Sequence, residues 1–377
     1  MNGEILRNFG GNSFQDSLWD DLLKRCKEET AACQAEVLMS FQSNFAPDSQ
    51  LLAVVARKAS GELVAGMPLL VNSGKRLFAS ATSVANEWCQ CGQLLVSPDS
   101  DQRSALVTIL DELSRLRLSS LWLDWTAYER PQWREFLFLA EQRGWGCQIN
   151  QKFDVGITRL PESWADFEMS LSKNCRKRTR SELKRLSQQG TLRLEVVVGS
   201  QPGELASNLR EAFDIEQRGW KGKSGSAIVS RPHVRTFFLN SAQSINKTGQ
   251  FRLFLLRLND QAIAFDLGEE IGSLYRSWKI SYLPEFADYS PGHVLNQLVI
   301  RHFIENTSIK ICDSVGPLTA AIRRWSNDQY RLGRIVIAPG TWLSNPSGHS
   351  VVQCLRTRAA VRNRNLKDYL SNRLRLW

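Results

Sequence analysis

Residues 251–306 read FRLFLLRLND QAIAFDLGEE IGSLYRSWKI SYLPEFADYS PGHVLNQLVI RHFIEN, and the succession of patterns in them decides the fold. The apolar run 251–256 predicts a strand, Asn259-Asp260 its turn, and Ala262 to Phe265 the returning strand. Leu274 to Tyr282 supplies another strand. After Leu283-Pro284-Glu285-Phe286-Ala287-Asp288 comes the segment Tyr289-Ser290-Pro291-Gly292. Val294, Leu295, Leu298, Ile300, Phe303 and Ile304 then recur as one buried helix face. A helix entered through a tight, glycine-containing turn presents free backbone N–H groups at the positive end of its dipole, which suits an anionic group such as a pyrophosphate. No acid occurs from Tyr289 through Gln297.

The first half repeats this order. Leu51 to Ala56 reads as a strand, Ala59-Ser60-Gly61 as a turn, Val64 to Val71 as the returning strand, Arg103 to Leu116 as a helix and Leu121-Trp122-Leu123 as a strand. Their counterparts are 251–256, 259–260, 262–268, 292–305 and 309–313, a duplication that implies two similar units. The first copy differs at the decisive point. Ser97-Pro98-Asp99-Ser100-Asp101 precedes its helix, a cap whose carboxylates would repel a phosphate, so the first copy reads as structural and the second as working.

Four motifs follow one another in the second half: Leu171-Ser172-Lys173-Asn174-Cys175-Arg176-Lys177, Trp220-Lys221-Gly222, Tyr289-Ser290-Pro291-Gly292 and Arg323-Arg324-Trp325. In this order they resemble the acyl-CoA-binding core of the GNAT acyltransferases, in particular the bacterial branch called the CelD-like or BioF-like acetyltransferase domain. The resemblance covers roughly 160 to 340. It departs from the usual GNAT phosphate loop, of which only Gly292 is kept, with His293 and Val294 where a second small residue is the rule.

The resemblance implies an α/β (α+β) chain of two tandem GNAT-like domains, each a mixed, mostly antiparallel sheet flanked by helices, a layout shared with the FemAB-type transferases. Residues 1–160 would be the degenerate copy, 161–345 the acyltransferase domain and 346–377 a basic helical tail. It implies an acyl-CoA-dependent N-acyltransferase using acetyl-CoA or another acyl-CoA. The acceptor amine would sit on a small molecule, a saccharide or a lipid precursor, in polysaccharide or envelope metabolism, and would enter between the copies. The strands at 274–282 and 309–313 would splay around the acyl arm. Ser290, Pro291, Gly292, His293, Val294 and Arg324 would then bind the cofactor. Trp220, Lys221, Tyr289 and Asp288 would meet the acceptor, and Asp313, Glu216 and Tyr282 would be the catalytic candidates. Acyl transfer to an amine needs a base and an oxyanion donor, and Asp313, following the apolar run 309–311, fits a base if partial burial raises its pKa. Each candidate has a plainer reading: Asp313 as a strand-end acid, Glu216 as an exposed helical glutamate, Lys221 as a solvated loop lysine, Trp325 as packing.

Composition bounds the alternatives. The 377 residues, 42% hydrophobic and 23% charged, are enough for two domains with cores of their own. Trp122, Trp125 and Trp278 lie in strand-like runs and read as core. The net charge of +10 gathers in Lys173 to Arg185, where seven cations face Glu182 alone, and in Arg356 to Arg375. Leu171, Leu183 and Leu186 would dock the first segment as a helix, its charges forming a solvated face, a phosphate cradle, a clamp on an anionic acceptor or a tRNA contact. The second, amphipathic and basic, could rest on the body, a partner or a membrane surface. A FemAB-like transferase using aminoacyl-tRNA and a non-catalytic scaffold therefore stand as alternatives, the tRNA partner ranking behind acyl-CoA. Eight cysteines without a Cys-x-x-Cys pair, with Cys89 and Cys91 as strand neighbours, and four histidines argue for reduced, mostly buried thiols and no metal. No run reaches membrane-span length and the N-terminus lacks an apolar leader pattern, so a cytoplasmic setting is expected.

Overall fold

Capping and alternation fix the elements locally, and the chain packs as two compact units, Met1–Asp154 with the chain from Tyr330 onward, and Val155–Gln329. The computed structural model describes residues 1–7, 14–26, 30–72, 79–90, 93–340 and 346–354, without the side chains of Phe14 and Trp220. Cys91 and the basic stretch Arg356 to Arg375 lie outside the described residues; 346–354 are helical.

The first unit contains β1 (Asn2–Leu6), α1 (Phe14–Arg25), α2 (Ala35–Phe45), β2 (Ser49–Arg57), β3 (Leu63–Asn72), β4 (Ser80–Ser83), β5 (Leu95–Val96), α3 (Gln102–Arg115), β6 (Ser120–Thr126), α4 (Pro131–Gln142) and the start of β7 (Gly146–Arg159). β2 and β3 are antiparallel and buried at successive positions, so both faces are covered. The Asp101 side chain accepts the Ser104 N–H at 3.1 Å and so caps α3. Ala105, Leu106, Ile109, Leu110 and Leu113 then bury one face of that helix. After α3 the chain returns parallel to β4, Ser80 to Thr82 pairing with Ser120 to Trp122.

The second unit contains the rest of β7, α5 (Trp164–Ser170), α6 (Lys173–Ser187), β8 (Leu192–Val197), α7 (Pro202–Arg218), α8 (Trp220–Lys223), α9 (Pro232–Lys247), β9 (Phe251–Leu258), β10 (Gln261–Ile271), β11 (Leu274–Tyr282), α10 (Pro291–Asn306), β12 (Ile311–Pro317), α11 (Ala320–Arg323) and the start of β13 (Asp328–Ala338). Its strands run in the order β7-β12-β11-β10-β9-β8, antiparallel except for the parallel step from β11 to β12, which α10 spans. The β9–β10 turn places Asn259 at φ 53, a backbone that asparagine tolerates. Phe303 of α10 packs edge-on against Phe254, with ring centroids 5.4 Å apart, and against Tyr275.

The repeat read from the sequence is therefore present as structure: an antiparallel pair, a crossing helix and a parallel return in each unit. Three details differ from expectation. The strand from Tyr330 to Ala338 belongs to the first unit, because Gly333, Ile335, Val336 and Ile337 pair with Thr126, Leu123, Trp122 and Leu121. Trp122, Trp125 and Trp278 are half-buried rather than core. Among the described cysteines only Cys26 and Cys33 are fully buried; Cys89, Cys147, Cys175 and Cys312 are half-buried and Cys354 is exposed.

Candidate active site

β11 and β12 pair only from Leu274 to Arg276 with Ile311 to Asp313, and beyond Arg276 and Asp313 the two strands part. Irregularities on both sides hold them apart. β10 and β11 shift register at Gly268, where a Cβ would stand 2.1 Å from the Arg276 carbonyl oxygen, so only glycine fits that bulge. β12 shifts register after Asp313 and carries Val315 at φ 55, an outlier for a β-branched residue. The Asp313 carboxylate accepts the Val315 N–H at 2.8 Å and stabilises that kink.

At the far end of β11 the chain enters α10 through Ser290, in the left-handed conformation and supplying no side-chain cap. Pro291 occupies the first turn, which has no acid. Tyr282 lies beside Gly292, its ring 3.5 Å from where a Cβ would stand. Arg185 of α6 donates to the Asp288 carbonyl and lies 5.8 Å from the centre of the Tyr289 ring; Glu285 pairs with Arg218. The α10 entrance is thus a basic, uncapped helix start, whereas the α3 entrance in the first unit is filled by Asp101.

His293, in the first turn of α10, accepts the Trp325 indole N–H on Nδ1 at 3.2 Å. Burial, with the Arg324 charge beside it, lowers its pKa to about 4, so the imidazole is neutral at physiological pH. Arg324 does not face the α10 entrance as a free cation. It holds Glu182 through two contacts, at 2.7 and 3.1 Å, and the Thr179 hydroxyl at 2.5 Å, with only 9% of its side chain exposed. Burial pushes the Glu182 carboxyl up, but Arg324 and Arg178 outweigh it and hold it below the ordinary range. The lone acid of the basic helix is thus the residue that ties α6 to the Arg-Arg-Trp segment, and Trp325 is packing, 5% exposed.

Two of the expected catalytic carboxylates are occupied elsewhere. Asp313, 2% exposed, forms a row of cross-strand neighbours with Arg276 and Glu269, and Arg276 Nε stands 3.8 Å from each acid. Glu216, 1% exposed, accepts Lys221 Nζ at 2.8 Å and the Ile228 N–H at 2.8 Å. Lys221 also reaches the Ile280 carbonyl of β11, so the segment after α7 is a clamped helical turn rather than a free lysine loop. Both acids are therefore buried beside a cation, Asp313 near Arg276 and Glu216 against Lys221. Trp220 opens that turn, and its side chain lies outside the described residues. Asp288 is exposed and Tyr289 half-buried; Pro291 and Val294 are buried at the α10 entrance.

The sequence reading missed Asp266. Its carboxylate accepts the Ser277 hydroxyl at 2.6 Å, and Ser277 is the first residue of β11 beyond the last pair with β12. Burial pushes Asp266 up to about 6, against the lowering effect of the Ser277 and Tyr275 hydroxyls. A lone acid inside the apolar run AIAFDLG was the available signal. Because the folded state binds this proton more tightly than the unfolded chain, stability is lost as pH rises from about 4 through about 6. Asp266→Asn should abolish that loss, gaining up to about 3 kcal/mol over the parent at pH 7.5 and nothing at pH 4. Parallel urea titrations at the two pH values check it, and equal differences at both would remove the assignment.

Residues 173–329 match the profile of the family described as acetyltransferase (GNAT) domain. Across most of its length the chain has the fold of FemX, with a TM-score of 0.60, 13% identity and coverage of 89% of this chain and 97% of that one. The C-terminal domain of a putative lysylphosphatidylglycerol synthetase from Agrobacterium fabrum gives 0.53 and 12%, covering 93% and 97%. A conserved protein of unknown function from Bacteroides thetaiotaomicron gives 0.54 and 9%, covering 89% and 100%. A comparison with curated proteins returned no match. Residues 173–329 are thus similar to an acetyltransferase (GNAT) domain, and the chain as a whole shares the fold of FemX.

Among the described residues no group of three or more His, Cys, Asp or Glu could hold a metal, and no helix is long and apolar enough to cross a membrane.

Proposed function

We propose that the protein transfers an acyl group from an acyl-CoA thioester to an amine. The observation that carries this reading is the pairing of two features in one unit: the uncapped, acid-free start of α10, and the gap that opens between β11 and β12. The pyrophosphate would meet the start of α10 at the Gly292 N–H, since Pro291 has none and the His293 and Val294 N–H groups donate to the Ser290 carbonyl, with Ser290, Pro291, Gly292, His293 and Val294 around it and Arg185 as the neighbouring cation. The pantetheine arm would lie in the gap, past Tyr282. An amino sugar, a lipid headgroup amine or a small amine would serve as acceptor.

Titration calorimetry with acetyl-CoA and longer acyl-CoAs tests the donor. Binding in the micromolar to millimolar range is expected, and no heat from any of them would end the reading. Ser290→Asp should separate this site from stability. Aspartate tolerates the left-handed backbone, while its charge opposes a phosphate at the helix start. Acetyl-CoA affinity should fall about tenfold with the melting temperature unchanged, and an unaltered affinity would move the donor elsewhere.

A second reading has a polyanionic donor such as an aminoacyl-tRNA, favoured by the exposed Lys173, Lys177 and Lys184 on α6. Three other cations of that helix are engaged internally. Arg176 donates to carbonyls at the end of α5, Arg178 pairs with Glu182, and Arg180 pairs with Glu168. RNA binding that weakens steeply with salt, and that acetyl-CoA does not displace, would favour this donor over the thioester.

A further inference from the structure

The two units place a serine at the same point and use it differently. In the first, Ser83 follows Thr82, the last residue of β4 paired with β6; its hydroxyl accepts the Asp124 N–H at 2.9 Å and donates to the Asp124 carbonyl at 3.2 Å. That serine stitches the parallel strands together just where they would part. In the second unit Ser277 follows Arg276, the last residue of β11 paired with β12, and it turns the other way, to Asp266 on β10. Across the gap the buried Ser314 Oγ has no hydrogen-bond partner among the described residues. The gap in the second unit therefore has no stitch, and at its apex stands a half-buried hydroxyl backed by a fully buried carboxylate.

We infer that Ser277 is a catalytic residue of the acyl transfer, taking up the proton released by the acceptor amine, and that Asp266 is the positioning residue that receives Ser277's own proton and keeps Ser277 from closing the gap. The inference rests on the acyl-transfer reading above. The amine nitrogen attacks the thioester carbonyl carbon; the C–N bond forms and the C–S bond breaks, the electron pair leaving on the thiolate. The proton shed by nitrogen passes to Ser277 Oγ as the Ser277 proton passes to Asp266 Oδ1, and it returns through the same hydroxyl to the thiolate. Attack by a neutral amine builds positive charge on nitrogen, and a hydroxyl already donating to a carboxylate has its lone pairs directed outward to accept.

The surroundings suit a proton acceptor that works near neutrality. Asp266 faces Ser277 and Tyr275 of β11 and Cys312 of β12, with no cation among them; Arg252 stands beyond Tyr275, Asp313 beyond Cys312, and His302 of α10 beside Phe254. Burial and the Asp266 charge push the Cys312 thiol up, so it stays protonated and adds no second anion.

The experiment is acetyl transfer from acetyl-CoA to glucosamine, lysine, ethanolamine and spermidine by the full chain and by Ser277→Ala, Ser277→Thr and Asp266→Asn, from pH 5 to 9. Taking the parent-to-variant ratio of kcat/KM at each pH cancels the titration of the amine itself. The ratio for Asp266→Asn should be about tenfold at pH 5 and rise through pH 6 to a plateau of about a hundredfold. Ser277→Ala should lose as much, and Ser277→Thr should recover most of it, with acetyl-CoA affinity retained in all three. Ratios flat with pH, or Ser277→Ala equal to the parent, would overturn the inference while leaving acyl transfer in place. Absence of transfer to every amine by the parent would remove both. Should Asp266→Asn fail to fold, the alanine and threonine variants at Ser277 decide alone.

Discussion

Arg324→Ala should cost about 3–5 kcal/mol, because it leaves the Glu182 carboxylate buried with only the exposed Arg178 as partner. For a unit of this size the melting temperature should fall by roughly 10 °C. The loss has two parts, an uncompensated charge and a vacated contact with Thr179. A double replacement, Glu182→Leu with Arg324→Met, removes the charge problem and keeps the volume, so it should be much less harmful than Arg324→Ala alone. A loss below 1 kcal/mol for Arg324→Ala would mean that this ion pair does not anchor α6, and the role given to the Arg-Arg-Trp segment would fall with it.

Gly222→Ala should be the other severe change. A Cβ there would lie 1.7 Å from the carbonyl oxygen of Gln217 and 2.6 Å from its carbon, both backbone atoms that cannot swing aside. The turn Trp220–Lys223 would have to lift away from the end of α7, taking Lys221 off Glu216 and the Ile280 carbonyl. Glu216 would then be a buried carboxylate bonded only to the Ile228 N–H. Overpacking and loss of the pair together predict about 3 kcal/mol or more, visible as a lowered urea midpoint. Glu216→Gln keeps the shape but only one of the two accepting oxygens, its NH2 facing either Lys221 Nζ or the Ile228 N–H, so it should destabilise through that one lost contact without the overpacking. If Gly222→Ala melts with the parent, the close approach is absent in solution.

Most of the second unit's order was legible because period and punctuation carry it. Asn259-Asp260 between two apolar runs marked the β9–β10 turn, and Pro291-Gly292 before a helical stripe marked α10. The comparison of Asp101 with Ser290 was also available from letters alone, since capping chemistry is local. Partnerships across the chain were not. Glu182 and Arg324 are separated by more than a hundred residues, and nothing in either neighbourhood says that the only acid of α6 turns inward. Glu216 sits at a helix position that reads as solvent-facing until Lys221, five residues on, folds back over it. Asp313 looked like a strand-end acid with room for a proton, and the row it shares with Arg276 and Glu269 depends on strand register, which periodicity does not fix. The role of Ser277 becomes visible only beside Ser83, once both parallel returns are aligned by their last pairs.

The strand that finishes the first unit is also a matter of timing. Residues 330–338 pair with β6, yet the whole of the second unit is translated between them. While the ribosome makes residues 155–329, the first unit must wait with the β6 edge open, and an open edge is a surface on which other chains can pair. The second unit is continuous and meets no such delay. Ribosome stalling or a chain break anywhere in the second unit would therefore leave the first unfinished, so the first unit carries the greater aggregation risk during synthesis.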